Sequence, residues 1–340
     1  MFTLNYNSYK KYKRIWTNIG ASMLVFYLMY TTGGFVCTLF QSFFTNHISE
    51  RAGEIAYSIS SGAWYLAEFM LPVLFFKFIS IKRVSMPNMQ LDVNLPRILW
   101  LVIPASIAAN LVLSYVNTLI VLPFNYEYIY DLMTPSYPDG YYLYHFVLDI
   151  INTAIIPAVC EEFLFRGLIL MLLLPYGKKT AIFGSAVMFA LMHQNFGQLI
   201  YTFGMGIVLA LIAIETKSIW GGILLHFFNN LFSVVSSAIT YMYPEVKATL
   251  LGNVLVFAML AVGGVCLICL VYKYYRSDRD LFEDDNIQND IYVDLLSENA
   301  PLKNFQKIKG FFSVTNIVFI SLAFLQMVLL MIMAILELQI

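Results

Sequence analysis

Long apolar stretches follow one another along this 340-residue chain, with few polar residues between them. A helix needs about 20 apolar residues to cross a bilayer, and only helices fit such continuous apolarity. The pattern predicts nine membrane-spanning helices, at approximately residues 15–44, 55–79, 98–122, 143–174, 180–195, 198–215, 218–238, 250–273 and 311–338. We therefore expect an all-α fold, a polytopic transmembrane helix bundle of about eight core helices plus one extra C-terminal helix.

The same pattern divides the chain into five segments. Residues 1–142 hold N-terminal transmembrane helices and an external loop, residues 143–238 carry the polar motifs, and residues 239–275 form the eighth helix. Residues 276–310 form an acidic cytoplasmic connector with eight Asp and Glu residues, and residues 311–340 form the extra C-terminal helix. The composition of the connector is typical of a solvated linker.

The basic residues predict the orientation of the bundle. If the N-terminus is cytoplasmic, 17 of the 20 Lys and Arg residues lie at the inner side, and only Arg51 and Lys247 lie outside. Such an asymmetry indicates a multi-pass integral membrane protein with a cytoplasmic N-terminus and an external C-terminus. The first apolar run is too long for a signal-peptide core, so we expect an anchor that stays.

Composition excludes several classes of protein. Hydrophobic residues make up 60% of the chain and charged residues only 12%, which excludes an ordinary soluble surface and makes the lipid bilayer a partner. The net charge is −1 and no basic stripe is interleaved with aromatic residues, so we expect no nucleic-acid partner. The four cysteines all lie in predicted spans and predict no disulfide framework.

Three charged residues lie inside the fourth predicted span, where charges are costly. Glu161, Glu162 and Arg166 together cost about 8–10 kcal/mol on insertion scales unless they are paired or hydrated. Glu162 and Arg166 are four residues apart and can neutralise each other, whereas Glu161 lies about 100° around the helix and can face another partner. Pro157, one turn earlier, is expected to kink the helix and admit water.

Partners for Glu161 follow from counting residues away from the connecting turns. His193 and Glu161 lie equally far from the turn that joins their spans, and both reach ~20 Å from the inner end. Asn230 reaches a similar depth of ~18–20 Å, and His226 lies one turn shallower on the same face. Three helices are therefore expected to bring these side chains into one layer. The more external His145, Asp149 and Asn152 are candidates for the lining of an outer vestibule.

Such a set of side chains is suited to hydrolysis. Glu161 is a candidate general base, and His193 is placed to share the proton or orient the attacking water. His226 and Asn230 supply donors for a developing oxyanion. Glu161, His193 and His226 are also a known type of zinc-binding set, which leaves one position for water.

Four short motifs in order resemble those of a known family. They are Glu161-Glu162-x-x-x-Arg166-Gly167, Phe189-x-x-x-His193, the segment Thr216-Lys217-Ser218-Ile219-Trp220, and His226-x-x-x-Asn230. The set resembles the CAAX protease and bacteriocin-processing family, also called CPBP or Abi, which includes the Ras-converting CAAX endopeptidases. The resemblance covers roughly residues 143–235.

The resemblance implies an intramembrane endopeptidase. Glu161 would be its catalytic glutamate and would activate water with His193, while His226 and Asn230 would form the oxyanion pocket and Glu162 and Arg166 would support the site. It implies a peptide or protein substrate, with a C-terminal or lipidated segment as one option, and a mechanism without a cofactor. We favour this over the zinc alternative because no carboxylate is obvious that would orient the two histidines.

Two non-enzymatic alternatives remain. A membrane immunity or scaffold protein could keep the same pocket and act by binding a partner. A transporter could use Glu161 as a proton carrier, although the absence of an inverted repeat in the sequence weakens that hypothesis.

Overall fold

The computed structural model describes residues 2–80, 91–124, 137, 140–276 and 302–337, with side chains from residue 7 onward. These residues form ten helices and no strand. They are α1 (Phe2–His47), α2 (Glu50–Ser80), α3 (Leu99–Val121), α4 (residues 143–176), α5 (Lys178–Met192), α6 (Leu199–Thr216), α7 (Ile219–Met242), α8 (Glu245–Tyr275), α9 (Asn304–Phe311) and α10 (Val314–Glu337). The predicted all-α helical bundle is confirmed.

Seven of these helices are long and apolar enough to cross a membrane, namely α1, α2, α3, α6, α7, α8 and α10. The protein is therefore a multi-pass membrane protein. The two remaining predicted spans are α4 and α5. Helix α5 has only 15 residues, which corresponds to about 22 Å of helical rise and falls short of the ~30 Å hydrocarbon core.

Helix α4 runs without a break in the chain but changes its winding. Two π-helical segments, Ile150–Ile155 and Phe163–Leu170, flank the α-helical turns Ile156–Glu162. A 3-10 turn, Leu174–Tyr176, ends the helix. Wide π turns inside a helix are frequent at functional sites, and here they lie on both sides of the residues Glu161 and Glu162.

A short hairpin made by α5 and α6 ends inside the bundle. Its connecting residues 193–198 are held by Asn117 of α3, whose amide donates to the Phe196 carbonyl at 2.6 Å and accepts from the Ile200 N–H at 2.9 Å. Non-helical backbone at membrane depth is tolerated where protein groups or a polar cavity satisfy it. The buried side chain of Asn117 forms hydrogen bonds with these two backbone groups and holds the end of the hairpin in place.

The extra C-terminal part of the chain packs closely against α1. A Cβ atom added to Gly20 of α1 would lie 2.5 Å from the backbone nitrogen of Asn316, so α10 approaches that helix directly. The Tyr12 hydroxyl donates to the Lys307 carbonyl of α9 at 3.3 Å. Residues 304–310 of the predicted connector form most of α9. Most of the acidic connector, and most of the external loop before residue 137, lie outside the described residues.

Candidate active site

Glu162 and Arg166 form a fully buried ion pair within α4. One guanidinium nitrogen of Arg166 donates to Glu162 Oε1 at 2.8 Å, and the other terminal nitrogen donates to the Gly206 carbonyl of α6 at 3.1 Å. The guanidinium carbon lies 4.4 Å from the centre of the Phe189 ring of α5. One side chain thus joins α4, α5 and α6, and its charge is balanced by the carboxylate one turn earlier.

Glu161 points to a different neighbour, as the 100° step between adjacent helical residues requires. The hydroxyl of Tyr65 on α2 donates to Glu161 Oε1. The other oxygen, Oε2, has no hydrogen-bond partner among the described residues and lies 3.9 Å from His226 Nε2. The buried carboxylate therefore has one oxygen held by α2 and the other available for chemistry.

His226 of α7 lies between the two carboxylates. Its Nδ1 is 3.1 Å from Glu162 Oε1, and its Nε2 faces Glu161. A carboxylate beside Nδ1 favours a proton on that nitrogen and fixes the orientation of the ring. The expectation that no carboxylate orients this histidine was therefore wrong, because Glu162 contacts its Nδ1 and the adjacent Glu161 faces its Nε2.

His193 directly follows Met192, the last residue of α5, and is the C-cap of that helix. Its Nδ1 lies 2.9 Å from the carbonyl of Phe189 one turn earlier, so this nitrogen donates and Nε2 is left as an acceptor. Because α5 is short, its C-terminal end places His193 inside the bundle, at the wall of the cavity that contains Glu161. The ring therefore presents an unprotonated nitrogen at the end of the hairpin.

Asn230 occupies a place that Pro157 creates. Proline has no N–H, so the carbonyl of Thr153, four residues before Pro157, loses its usual helical donor. The side-chain amide of Asn230 donates to that carbonyl at 3.0 Å. A break in the hydrogen bonding of α4 is thus satisfied by α7, and the second N–H of the amide remains for another acceptor.

The motif at residues 216–220 forms the turn between α6 and α7. Lys217 adopts a left-handed conformation with φ of 51°, which reverses the chain. The Ser218 hydroxyl accepts from the Trp220 N–H at 3.2 Å and caps α7. These residues therefore support the helix that carries His226 and Asn230, and they do not reach the site themselves.

A cavity of about 390 Å³ joins these side chains. Its lining includes Glu161, His193, His226 and Asn230, together with Tyr201 of α6. The cavity continues along a polar face of α7 whose members recur every three or four residues, namely His226, Asn230, Ser233, Ser237 and Tyr241. It therefore extends from the middle of the helices toward the end where α7 finishes and α4 starts.

The outer vestibule proposed from sequence is lined by one of its three candidates. Asp149 lines the cavity and accepts hydrogen bonds from the hydroxyls of Tyr137 at 2.8 Å and Tyr141 at 2.9 Å. Burial raises the pKa of both tyrosines, and the hydrogen bonds to Asp149 raise it further. His145 and Asn152 instead turn toward α2, where they contact Glu54 and Ser58.

Comparison with known families gives one match. Residues 143–232 match the family model described as type II CAAX prenyl endopeptidase Rce1-like. This segment is similar to that family and is called the Rce1-like domain. The match confirms the resemblance to the CAAX protease family, and it includes α4, the α5–α6 hairpin and the part of α7 that carries His226 and Asn230. No curated protein and no solved structure matches the chain.

Two polar residues that the sequence argument missed lie outside the Rce1-like domain. Tyr65 holds Glu161, and Glu68 is a second buried acidic residue one turn further along α2. Glu68 carried a detectable signal, because it is a charge inside the second predicted span and the rule that singled out Glu161 applies equally to it. Tyr65 carried none, since tyrosine is common in membrane helices.

The donor atoms of the site bear on whether it could hold a metal ion. Among the described residues, no group of three His, Cys, Asp or Glu side chains could hold a metal ion. The alternative zinc set of Glu161, His193 and His226 therefore does not form such a group in the Rce1-like domain. We assign no step of the reaction to a metal.

Proposed function

We propose that this protein is an intramembrane, glutamate-dependent endopeptidase of the CAAX protease type. The observation that carries the proposal is the state of Glu161, a buried carboxylate with Oε1 held by Tyr65 and Oε2 unpaired near His226. His193 lines the same cavity with an acceptor nitrogen. A base with one free oxygen beside a second acceptor is suited to the activation of water.

In the proposed reaction, Glu161 takes a proton from a water molecule that His193 helps to orient. The oxygen of that water attacks the carbonyl carbon of the scissile peptide bond. The oxyanion that forms accepts hydrogen bonds from His226 and from the second N–H of Asn230. When the C–N bond breaks, Glu161 returns its proton to the leaving amine, so the products are a carboxylic acid and an amine.

The charges in the site support a cationic His226. Glu161 and Glu162 contribute two negative charges, and Arg166 contributes one positive charge. A proton on each nitrogen of His226 would bring the buried set to neutrality and give Glu162 a donor at 3.1 Å, while Nε2 stays 3.9 Å from Glu161 Oε2. The imidazolium could then donate from Nε2 to the oxyanion, and Glu162 with Arg166 would keep the ring in place.

We propose further that substrate reaches the site from the external side of the membrane. The cavity runs toward Asp149 and Tyr241, at the end of the bundle opposite the basic residues Lys178, Lys179 and Lys217. The positive-inside rule assigns the basic end to the cytoplasm, with the N-terminus inside and the C-terminus outside. The substrate is a peptide or protein segment, and a C-terminal or lipidated segment is the CAAX-type candidate.

The test is cleavage of peptides by the purified protein in lipid vesicles. Glu161→Gln retains the shape and hydrogen bonding of the side chain but removes the base, so turnover should fall by roughly 10²- to 10⁴-fold, and His193→Ala should fall strongly as well. The matched control is Cys160→Ala, which changes a buried neighbour of Glu161 on the same helix and should retain activity. Wild-type turnover in Glu161→Gln would refute the mechanism.

Two further outcomes separate the alternatives. A scaffold or immunity protein would keep its cellular phenotype in the Glu161→Gln variant, whereas a protease would lose it. A chelator should leave peptide cleavage unchanged. Loss of cleavage that zinc restores would assign the site to a metalloprotease.

A further inference from the structure

A second cavity, of about 400 Å³, lies on the other side of Tyr65 and His193. These two residues and Gln198 line both cavities, so they form a shared wall between them. The rest of the lining of the second cavity comes from α1, α2 and α10, together with Met192 and Asn195 at the end of the α5–α6 hairpin. Its volume falls in the range of pockets that accept small ligand groups, ~300–1,000 Å³.

Glu68 of α2 lines this second cavity and has no counter-ion within the described part of the chain. Glu68 is 5% exposed, and none of the described residues forms a hydrogen bond or ion pair with its carboxylate. A buried carboxylate without a partner is costly and is rarely kept in a membrane helix without a function. No Lys or Arg of the described residues lines the cavity, so this part of the chain supplies no cation there.

The remaining lining is suited to a cationic side chain. The rings of Phe26, Tyr30 and Phe69 lie along the cavity, with ring centres 5.2 Å apart for Phe26 and Phe69 and 6.1 Å apart for Phe26 and Tyr30. Aromatic faces attract ammonium and guanidinium groups and pack against their aliphatic stems. The amide of Gln326 on α10 adds a carbonyl oxygen as a further acceptor.

The position of Glu68 relative to Glu161 sets which substrate residue it could reach. Glu68 follows Tyr65 by three residues, about 4.5 Å along α2, and the Tyr65 hydroxyl contacts Glu161. An extended peptide advances about 3.3 Å per residue. The second cavity is therefore adjacent to the site of attack and would receive a side chain within one or two residues of the scissile bond.

We propose that the second cavity is a specificity subsite for a Lys or Arg side chain of the substrate, with Glu68 as its counter-ion. The inference rests on the proposed endopeptidase function and deepens it. Glu68 and Gln326 both lie outside the Rce1-like domain at residues 143–232, so the subsite is built by helices that surround that domain.

The experiment compares peptides that differ only in charge. Each pair has Lys or norleucine, or Arg or citrulline, at one position within two residues of the cleaved bond. The wild-type protein in lipid vesicles should prefer the cationic member by roughly 10- to 150-fold in kcat/KM at one such position, the effect expected of a charge-assisted hydrogen bond. Cleavage of both members at equal rates at every position would overturn the subsite and leave the proposed function standing.

Variants then assign the preference to one side chain. Glu68→Gln should lower kcat/KM for the cationic peptide to the value for the neutral peptide. The value of kcat/KM for the neutral peptide should change little. Glu68→Asp should retain part of the preference for the cationic peptide. The matched control is Glu54→Gln, the same change on the same helix at a residue that lines neither cavity. A preference that survives Glu68→Gln would overturn the assignment.

Binding separates failure of the subsite from failure of the proposed function. The same peptide pairs are titrated against the Glu161→Gln protein, and the affinity is followed by tryptophan fluorescence. If the wild type cleaves no peptide but binding is charge-selective and depends on Glu68, the endopeptidase function is refuted and the binding site for a cationic side chain stands. Equal binding of both peptides, with no cleavage by the wild type, would overturn both.

Discussion

The hydroxyl of Tyr65 offers the sharpest single-atom test of the site. Tyr65→Phe removes the donor to Glu161 Oε1 and leaves the ring in place, stacked on Phe69 with centres 4.8 Å apart and planes 26° apart. Both oxygens of the buried Glu161 would then lack a hydrogen-bond partner among the described residues. We expect loss of the charged, oriented base with little change in packing.

The size of the effect follows from the hydrogen bond that is removed. A hydrogen bond to a charged group contributes about 1.5–3 kcal/mol, and ~1.4 kcal/mol corresponds to a tenfold change in rate. The value of kcat/KM should therefore fall by roughly 10- to 150-fold. Most of the loss should appear in kcat, because the hydroxyl acts on the base and substrate binding depends on the wider cavity.

The assay is peptide cleavage in lipid vesicles, with the thermal midpoint of each variant measured alongside. The matched control is Tyr27→Phe, since Tyr27 packs against the same core but lines neither cavity. That variant should have the activity of the wild type. A folded Tyr65→Phe protein with the kcat/KM of the wild type would refute the idea that Tyr65 holds the catalytic carboxylate.

Three other changes test the support of the site. Arg166→Gln leaves the buried Glu162 without its cation, so the free energy of unfolding should fall by about 3–5 kcal/mol, read as a large drop in thermal midpoint in detergent. Gly222→Ala places a Cβ atom 2.7 Å from Glu162 Oε2, so this carboxylate must shift. The relative loss of peptide-cleavage rate should therefore exceed the relative loss of stability. Pro157→Ala returns a donor for the Thr153 carbonyl, so stability should hold or rise while cleavage falls severalfold; unchanged cleavage would contradict a role for the proline.

The sequence was most informative where membrane burial makes a residue costly. Charges within an apolar span pointed to Glu161, Glu162 and Arg166, and the spacing of four predicted the ion pair seen between the last two. Counting residues from the turns placed His193 and Glu161 at a similar depth, and both line one cavity. The roles of these residues in catalysis stay predictions.

Other features could not be read from local pattern. No residue type in the chain marks the two π-helical segments of α4. The contact between Tyr65 and Glu161 joins residues 96 positions apart, so one sequence without homologues gives no sign of it. Helix α9 was missed because its eight residues follow an acidic stretch, and its contact with Tyr12 of α1 joins distant parts of the chain.

The donation from Asn230 to the carbonyl that Pro157 leaves free has a consequence for motion. His226 and Asn230 lie one turn apart on α7, and each contacts a different part of α4, at Glu162 and at Thr153. Sliding α7 along α4 by even a fraction of a turn would break both contacts together and leave the Thr153 carbonyl without the donor that replaces the missing proline N–H. The two helices are therefore locked in axial register, and any opening that admits a peptide must come from other elements of the bundle.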